Sequence, residues 1–212
     1  MREMQKRHCR QLIAAGLLGS FAMLGTTLVA VTYDLTFQRI EENQRQALMR
    51  QLDRLIPKHS IDNDLLSDVI TISAPETLNA QTTKVYRARS DSQPIAAIFS
   101  PVVARGYAGP IQLSIAVRHD GTLAGVRVLQ HKETPGLGDK VDEERSDWVY
   151  SFNNRALGNP GPEGWRVRRE GGVFDQFAGA TITPRGVINA VYATLKYYDA
   201  NRDSLFLASS EE

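Results

Sequence analysis

The chain has 212 residues, a formal net charge of +1 and a hydrophobic content of 42%. This length fits one ordinary domain plus an attachment segment, and the near-neutral charge gives no electrostatic reason to expect a nucleic-acid partner. The only cysteine, Cys9, lies close to the N-terminus, so the remainder of the chain has no disulfide and no thiolate-bound metal or iron–sulfur cluster.

The first predicted element is an apolar run of 20 residues without a charge, from Leu12 to Val31. As a helix this run spans about 30 Å, the thickness of a bilayer core. Basic residues precede it and acidic residues soon follow, at Arg2, Lys6, Arg7 and Arg10 and at Asp34, Glu41 and Glu42. We therefore predict a cytoplasmic N-terminus over residues 1–11, a transmembrane helix over 12–32 and an exported remainder.

A cleavable signal peptide is the alternative to this anchor. The apolar region of a signal peptide is usually shorter, roughly 7–15 residues, and is followed by an A-x-A cleavage site. This chain has no clear A-x-A site after its apolar run. The next segment, residues 33–57, is polar with leucines and an isoleucine at roughly helical intervals. We interpret it as a stalk helix ended by Pro57, followed by one exported domain over residues 58–212.

Alternating apolar and polar residues predict strands in the exported domain, at Lys84 to Arg89, Ile111 to Val117 and Leu123 to Leu129. The last two strands flank Asp120-Gly121, which is typical of a tight β-hairpin turn. A further apolar run, Ala96 to Ala104, is broken by Pro101. The charged residues from Asp142 to Asp147 suggest a solvated helix face. The predicted fold class is α+β, an antiparallel sheet with flanking helices.

Near the C-terminus, the stretch from Asp175 to Pro184 reads D-Q-F-A-G-A-T-I-T-P and predicts a loop that ends by starting a helix. Thr183 suits the N-cap and Pro184 the first helical position. The helix then presents one apolar face, made of Val187, Val191, Leu195 and Tyr198.

Gly179 and Ala180 have almost no side-chain bulk, so another group can approach the backbone closely there. Thr181 places a hydroxyl beside the positive end of the helix, and helix N-termini bind phosphates. A well-capped helix start without any ligand explains the same pattern. The residues alone leave both interpretations open.

Two glycine-rich stretches flank the hairpin. Gly106 to Ile111 reads G-Y-A-G-P-I and lies at its entry, while His131 to Gly138 reads H-K-E-T-P-G-L-G and lies at its exit. The second stretch predicts a tight loop with exposed backbone N–H groups. It can press Leu137 against a planar ring while Thr134 bonds the polar edge. An ordinary Pro-Gly turn is the alternative.

Taken together and in this order, the three stretches resemble the FMN-binding domain family. That domain occurs in the G subunit of the Rnf/Rsx electron transport complex and in the C subunit of the sodium-pumping NADH:quinone reductase. In the family, the threonine of G-A-T carries FMN through a phosphoester bond, and the matching residue here is Thr181. The family pattern has Ser or Thr where this chain has Ala178. The length, single anchor and D-Q-F-A-G-A-T-I-T-P wording are closer to the Rnf/Rsx member.

The resemblance implies a single-pass protein of the bacterial inner membrane with a periplasmic FMN-binding domain. It implies an electron-carrying subunit, rather than a stand-alone enzyme, that exchanges electrons with other membrane subunits and is coupled to ion translocation or to reduction of a redox regulator. Asp175 is then read by a magnesium-dependent flavin transferase, which moves FMN from FAD onto the threonine. The implied cofactor-binding residues are Thr181, Gly179, Ala180, Thr183, Asp175, Glu133, Thr134 and Leu137, with no catalytic residue and no metal ligand.

Two other functions fit the same anchor and fold. One is a cofactor-free, membrane-anchored adaptor or assembly subunit, which has no need of the Thr181 hydroxyl. The other is a component similar to the C subunit of the sodium-translocating NADH:quinone reductase. A cleaved, free periplasmic flavoprotein is a further alternative, excluded by a mature N-terminus at Met1.

Overall fold

The computed structural model describes residues 2–207, without the side chains of residues 2–14, 38 and 44. The chain divides into two compact units, the first ending at Leu48 and the second beginning at Met49. The basic side chains behind the prediction for residues 1–11 lie outside the described side chains, as does Cys9.

The first unit is formed by a single long helix, α1 (Arg2–Asp53), whose last turn belongs to the second unit. Within α1, Ala15–Phe37 has a mean hydropathy of 1.6 and is the one segment among the described residues that is long and apolar enough to cross a membrane. The hydroxyls of Thr26 and Thr32 donate to backbone carbonyls four residues earlier, both at 2.8 Å. An apolar, exposed helix whose hydroxyls are bonded internally has the properties that a bilayer requires.

The helix runs without a break through the predicted transmembrane segment and most of the predicted stalk. It ends at Asp53, four residues before the predicted stop at Pro57. The N–H of Ile56 still donates to the carbonyl of Leu52, four residues earlier, as in an α-helix, and the next residue, Pro57, has no N–H with which to continue the pattern. Leu52, Leu55 and Ile56 are almost fully buried in the second unit, so packing also holds this last turn.

The second unit is built on a five-stranded antiparallel sheet, in the order β1-β2-β3-β4-β5. Its strands are β1 (Val69–Ile72), β2 (Thr83–Ser90), β3 (Gln93–Arg105), β4 (Pro110–Arg118) and β5 (Leu123–Gln130). The predicted antiparallel sheet and the hairpin at Asp120-Gly121 are confirmed. The Asp120 carboxylate accepts from both the N–H and the hydroxyl of Thr122, which stabilises the turn.

Strand β3 continues through Pro101, where the sequence suggested a break. The register against β4 shifts between Phe99 and Val102, so a bulge takes the proline out of the ladder. Proline has no N–H to donate, and a bulge is one of the few places where a sheet accommodates it.

Helix α3 (Ile182–Leu207) packs on the sheet and completes the core together with the short α2 (Pro75–Leu78). The predicted apolar face of α3 is confirmed, because its four residues are at most 2% exposed. The remaining elements are short 3₁₀ helices at Lys58–Ser60, Gly138–Val141, Asp147–Phe152, Pro162–Gly164 and Arg168–Glu170.

The helix face predicted over Asp142 to Asp147 is wrong, because residues 142–146 form a turn between two 3₁₀ helices, the second of which begins at Asp147. The Asp142 carboxylate accepts from the N–H of Glu144, and the Ser146 hydroxyl accepts from the N–H of Trp148. Short polar side chains that bind nearby backbone donors compete with helix formation.

A buried ion pair holds the C-terminal end of α3 against β2. Arg87 is 1% exposed and pairs with Asp68, which also accepts from Arg89 at 2.7 Å. The two guanidinium groups donate to the carbonyls of Leu205 and Phe206, at 3.1 and 3.0 Å. Positive charge at a helix C-terminus satisfies free carbonyls and interacts favourably with the helix dipole.

Candidate functional site

A buried carboxylate joins the three motif stretches. Glu133, in E-T-P-G-L-G, is 5% exposed. Its Oε1 accepts from the N–H of Ala108, in G-Y-A-G-P-I, at 2.9 Å. Its Oε2 accepts a short hydrogen bond from the hydroxyl of Thr183, which is fully buried at the start of α3. Segments that are far apart in the chain therefore meet at one side chain.

Two glycines make room for this carboxylate. A Cβ atom on Gly106 would overlap Glu133 Oε1, and one on Gly138 would overlap Glu133 Oε2. At Gly138 the added atom would also lie 3.0 Å from the Thr183 hydroxyl. A side chain at either position would therefore displace the Glu133 carboxylate, which explains one glycine in each of the two loops.

The start of α3 lies earlier than the sequence suggested. The helix begins at Ile182, so Thr181 occupies the N-cap position, and the carbonyl of Thr181 accepts from the N–H of Arg185 at 3.3 Å. The prediction of Thr183 as N-cap is wrong, because its hydroxyl is bound to Glu133. Pro184 is consequently the third helical residue, where its missing N–H still costs nothing.

The loop before α3 and the loop after β5 touch beside Thr181. Gly179 has a φ of +76°, a conformation that favours glycine, and a Cβ atom there would lie 3.6 Å from Leu137 Cδ2. Leu137 is 44% exposed and Thr134 is exposed, whereas Ala180 is buried. Thr181 itself is half-buried at the end of the helix, two residues after the glycine that lies against Leu137.

Asp175 lies on the surface, six residues before Thr181. Its side chain is 63% exposed and pairs with Arg168 at 3.1 Å. Its backbone carbonyl accepts from the indole N–H of Trp148 at 2.8 Å, and the Trp148 ring packs edge-on against Phe177 at 5.1 Å. The backbone at Asp175 is therefore held in place while its carboxylate remains open to a partner.

Tyr107 is a residue that the sequence reasoning did not assign to the site. It is 70% exposed in a loop closed by a hydrogen bond from the N–H of Gly106 to the carbonyl of Gly109. A cavity of about 360 Å³ opens on the β3 side of this loop, and none of the candidate cofactor-binding residues lines it. The sequence feature that marks Tyr107 is an aromatic residue inside a glycine loop. Many turns contain tyrosine, so this feature alone does not indicate a binding site.

The arrangement fits a ligand with an anionic end and a planar apolar end. The N-cap of a 26-residue helix attracts phosphate. Exposed apolar side chains nearby, on Tyr107, Leu137 and Ile182, can cover a ring system. FMN has both features, so the residues present fit that cofactor.

Comparison with known proteins gives two family matches and close relatives. The FMN-binding domain model matches residues 106–196, from the first glycine loop into α3, and a model of the RnfG N-terminal region matches residues 10–55. The chain is similar to proteins named as the G subunit of an ion-translocating oxidoreductase complex. It is 42% identical to that of Pseudoalteromonas atlantica over 205 residues, covering 95% of each chain. It is 46% identical to that of Pseudomonas aeruginosa over 190 residues, covering 89% of each.

Proposed function

The chain belongs to the family of G subunits of ion-translocating oxidoreductase complexes, and we propose that it relays electrons through FMN attached covalently to Thr181. The observation that carries this proposal is the placement of Thr181 at the N-cap of α3, half-buried, directly after a loop whose Gly179 lies against the exposed Leu137. A phosphoester at this hydroxyl places the negative phosphate at the positive end of the helix.

The chain's own residues then bind and orient the cofactor. Thr181 holds the phosphate, Leu137 and Tyr107 cover the ring, and Thr134 with the backbone N–H groups of its loop donates to the polar edge. Gly179 and Ala180 keep the approach to Thr181 free of bulk. When bound, FMN supplies the one- and two-electron chemistry that an electron relay needs. Glu133 and Thr183 are too buried to face the ring directly and support the site from beneath.

Maturation requires an enzyme that recognises the loop before α3. We propose that a magnesium-dependent flavin transferase reads the exposed carboxylate of Asp175 and transfers FMN from FAD to Thr181. The exposure of Asp175 and its ordered backbone support this role, because a recognition residue must be both accessible and fixed.

The apolar segment of α1 is the proposed single-pass anchor in the bacterial inner membrane, with residues 1–11 in the cytoplasm and the FMN-binding domain in the periplasm. There it would exchange electrons with other membrane subunits of an Rnf-type complex. The electron flow would be coupled to ion translocation or to reduction of a redox regulator. The apolar, internally bonded surface of this segment supports the anchor.

Replacing Thr181 by Ala should abolish covalent flavin, since only the side-chain hydroxyl can form the phosphoester. The full-length protein, co-expressed with the flavin transferase, is run on a denaturing gel under ultraviolet light and weighed by mass spectrometry. We expect a fluorescent wild-type band, heavier by one FMN minus water, and a dark T181A band. Thr122→Ala, in the exposed hairpin turn, is the matched control and should remain fluorescent.

Two other outcomes would decide against this proposal. A dark wild type, with a transferase that modifies a control substrate, would favour the cofactor-free adaptor. A fluorescent T181A band would place the attachment elsewhere.

Replacing Trp148 by Phe should slow flavin attachment without unfolding the protein. The change removes the indole donor to the Asp175 carbonyl, which costs about 1 kcal/mol, and frees the recognised loop. We expect attachment to slow on the order of threefold, measured by mass spectrometry over time. Tyr198→Phe is the control, because it also loses one side-chain hydrogen bond to a backbone carbonyl, that of His119 at 3.4 Å, and lies on α3 seventeen residues after Thr181. Equal slowing in both variants would contradict a local effect on the loop.

A further inference from the structure

We propose that Glu133 is a positioning residue that fixes the Thr181 hydroxyl for flavin attachment and does not itself touch the flavin. Its buried carboxylate ties the start of α3 to both glycine loops. This inference rests on the proposed attachment of FMN to Thr181 and concerns how the chain prepares that residue. Its test therefore includes a readout that does not depend on flavin.

Burial excludes Glu133 and Thr183 from direct contact with a ligand at the surface. Glu133 is 5% exposed and Thr183 is 0% exposed. Both carboxylate oxygens already accept a hydrogen bond, one from the N–H of Ala108 and one from the Thr183 hydroxyl. Gly106 and Gly138 lie so close to the same two oxygens that a side chain at either position would displace the carboxylate. The carboxylate thus bonds inward, to the protein.

Holding Thr183 also holds Thr181. The two residues are separated by Ile182 alone, and Thr183 lies in the first turn of α3, whose N-cap is Thr181. A hydrogen bond that fixes the second helical residue leaves the N-cap little freedom, since helix geometry sets their relative positions. A negative carboxylate is also favourable beside a helix N-terminus. Glu133 therefore determines both where α3 begins and where the Thr181 hydroxyl lies.

A second contact holds the same end of α3. Gly186, one turn further on, lies against the backbone of Arg105. Arg105 is the last residue of β3 and precedes the first glycine loop. The helix start is thus attached at two points to the segment from Arg105 to Ala108, once through Gly186 and once through Glu133.

Two pairs of substitutions separate positioning from direct action. Thr183→Val keeps the shape and removes the hydroxyl, while Thr183→Ser keeps the hydroxyl. Glu133→Met removes both acceptors, while Glu133→Gln can still accept from Ala108 through its oxygen and donate to the Thr183 hydroxyl through its amide. We expect T183V and E133M to slow flavin attachment by about tenfold or more, since misplacing a reacting group is costly. T183S and E133Q should stay within about twofold of wild type.

The flavin itself reports whether Glu133 touches it. Once attached, FMN in E133Q should keep the wild-type absorption spectrum, because the side chain bonds inward and does not contact the ring. A shifted flavin absorption spectrum in E133Q, or attachment abolished in E133Q while T183S is normal, would overturn the inference. Attachment to T183V at the wild-type rate would overturn it as well.

Amide hydrogen exchange of the flavin-free T181A background tests the link without the cofactor. Adding T183V should increase exchange over residues 106–109 and 182–186, and adding T183S should not. If T183V leaves exchange unchanged in both segments, the positioning role fails. A third outcome is that the wild-type protein acquires no flavin from an active transferase while T183V increases amide exchange in both segments. In that case Glu133 does connect the glycine loop to the start of α3, and the proposed function fails.

Discussion

Gly186→Ala is expected to lower the free energy of unfolding by about 3 kcal/mol and to reduce flavin attachment sharply. A Cβ atom at Gly186 would overlap the carbonyl oxygen of Arg105 and lie 2.8 Å from its carbonyl carbon. Backbone atoms at the end of β3 cannot move aside as a flexible side chain does. The helix start must therefore shift away from the sheet, and Thr181 shifts with it.

Glycine inside a helix normally costs about 0.5–1 kcal/mol relative to Ala. If the contact with Arg105 did not exist, Gly186→Ala would therefore be expected to stabilise the protein. Urea unfolding of the detergent-solubilised full chain, monitored by tryptophan fluorescence, shows whether Gly186→Ala destabilises or stabilises the protein. Asn189→Ala, at an exposed position in the same helix, should change stability by less than about 0.5 kcal/mol. A more stable G186A protein with normal flavin attachment would show that α3 does not depend on this contact.

Asp68→Ala is expected to destabilise the domain by about 3–5 kcal/mol, because it removes the carboxylate from a buried ion pair. Arg87 is 1% exposed and would keep its charge in the interior. The same carboxylate also orients Arg89, and the two arginines bind the carbonyls of Leu205 and Phe206 at the end of α3. We expect the C-terminal turns of α3 to exchange amide hydrogens faster in this variant.

Asp199→Ala is the matched control for this loss. Asp199 pairs with Arg202 at 3.6 Å, and its side chain is 61% exposed. Exposed pairs of this kind contribute roughly 0–1 kcal/mol, so its unfolding midpoint in urea should move little. If D68A and D199A lost similar amounts of unfolding free energy, the burial of Arg87 would not increase the contribution of Asp68 to stability.

The sequence predicted those parts of the fold that depend on near neighbours. The hairpin around Asp120-Gly121 and the apolar face of α3 were found because alternation, helical spacing and turn chemistry act within a few residues. Beyond this range the predictions went wrong. Strand β3 passes through Pro101 by a bulge whose partner residues lie on β4, and the helix predicted at Asp142 is replaced by turns.

The candidate site divides in the same way. The apolar anchor segment, the antiparallel sheet and the three motif stretches could all be found in the sequence, since composition and periodicity are local properties. That Thr181 is the N-cap of α3 and that Thr183 is buried became apparent only from the folded chain. The reason is physical: the Thr183 hydroxyl binds Glu133, a residue 50 positions away, and a local pattern contains no information about a hydrogen-bond partner at that distance.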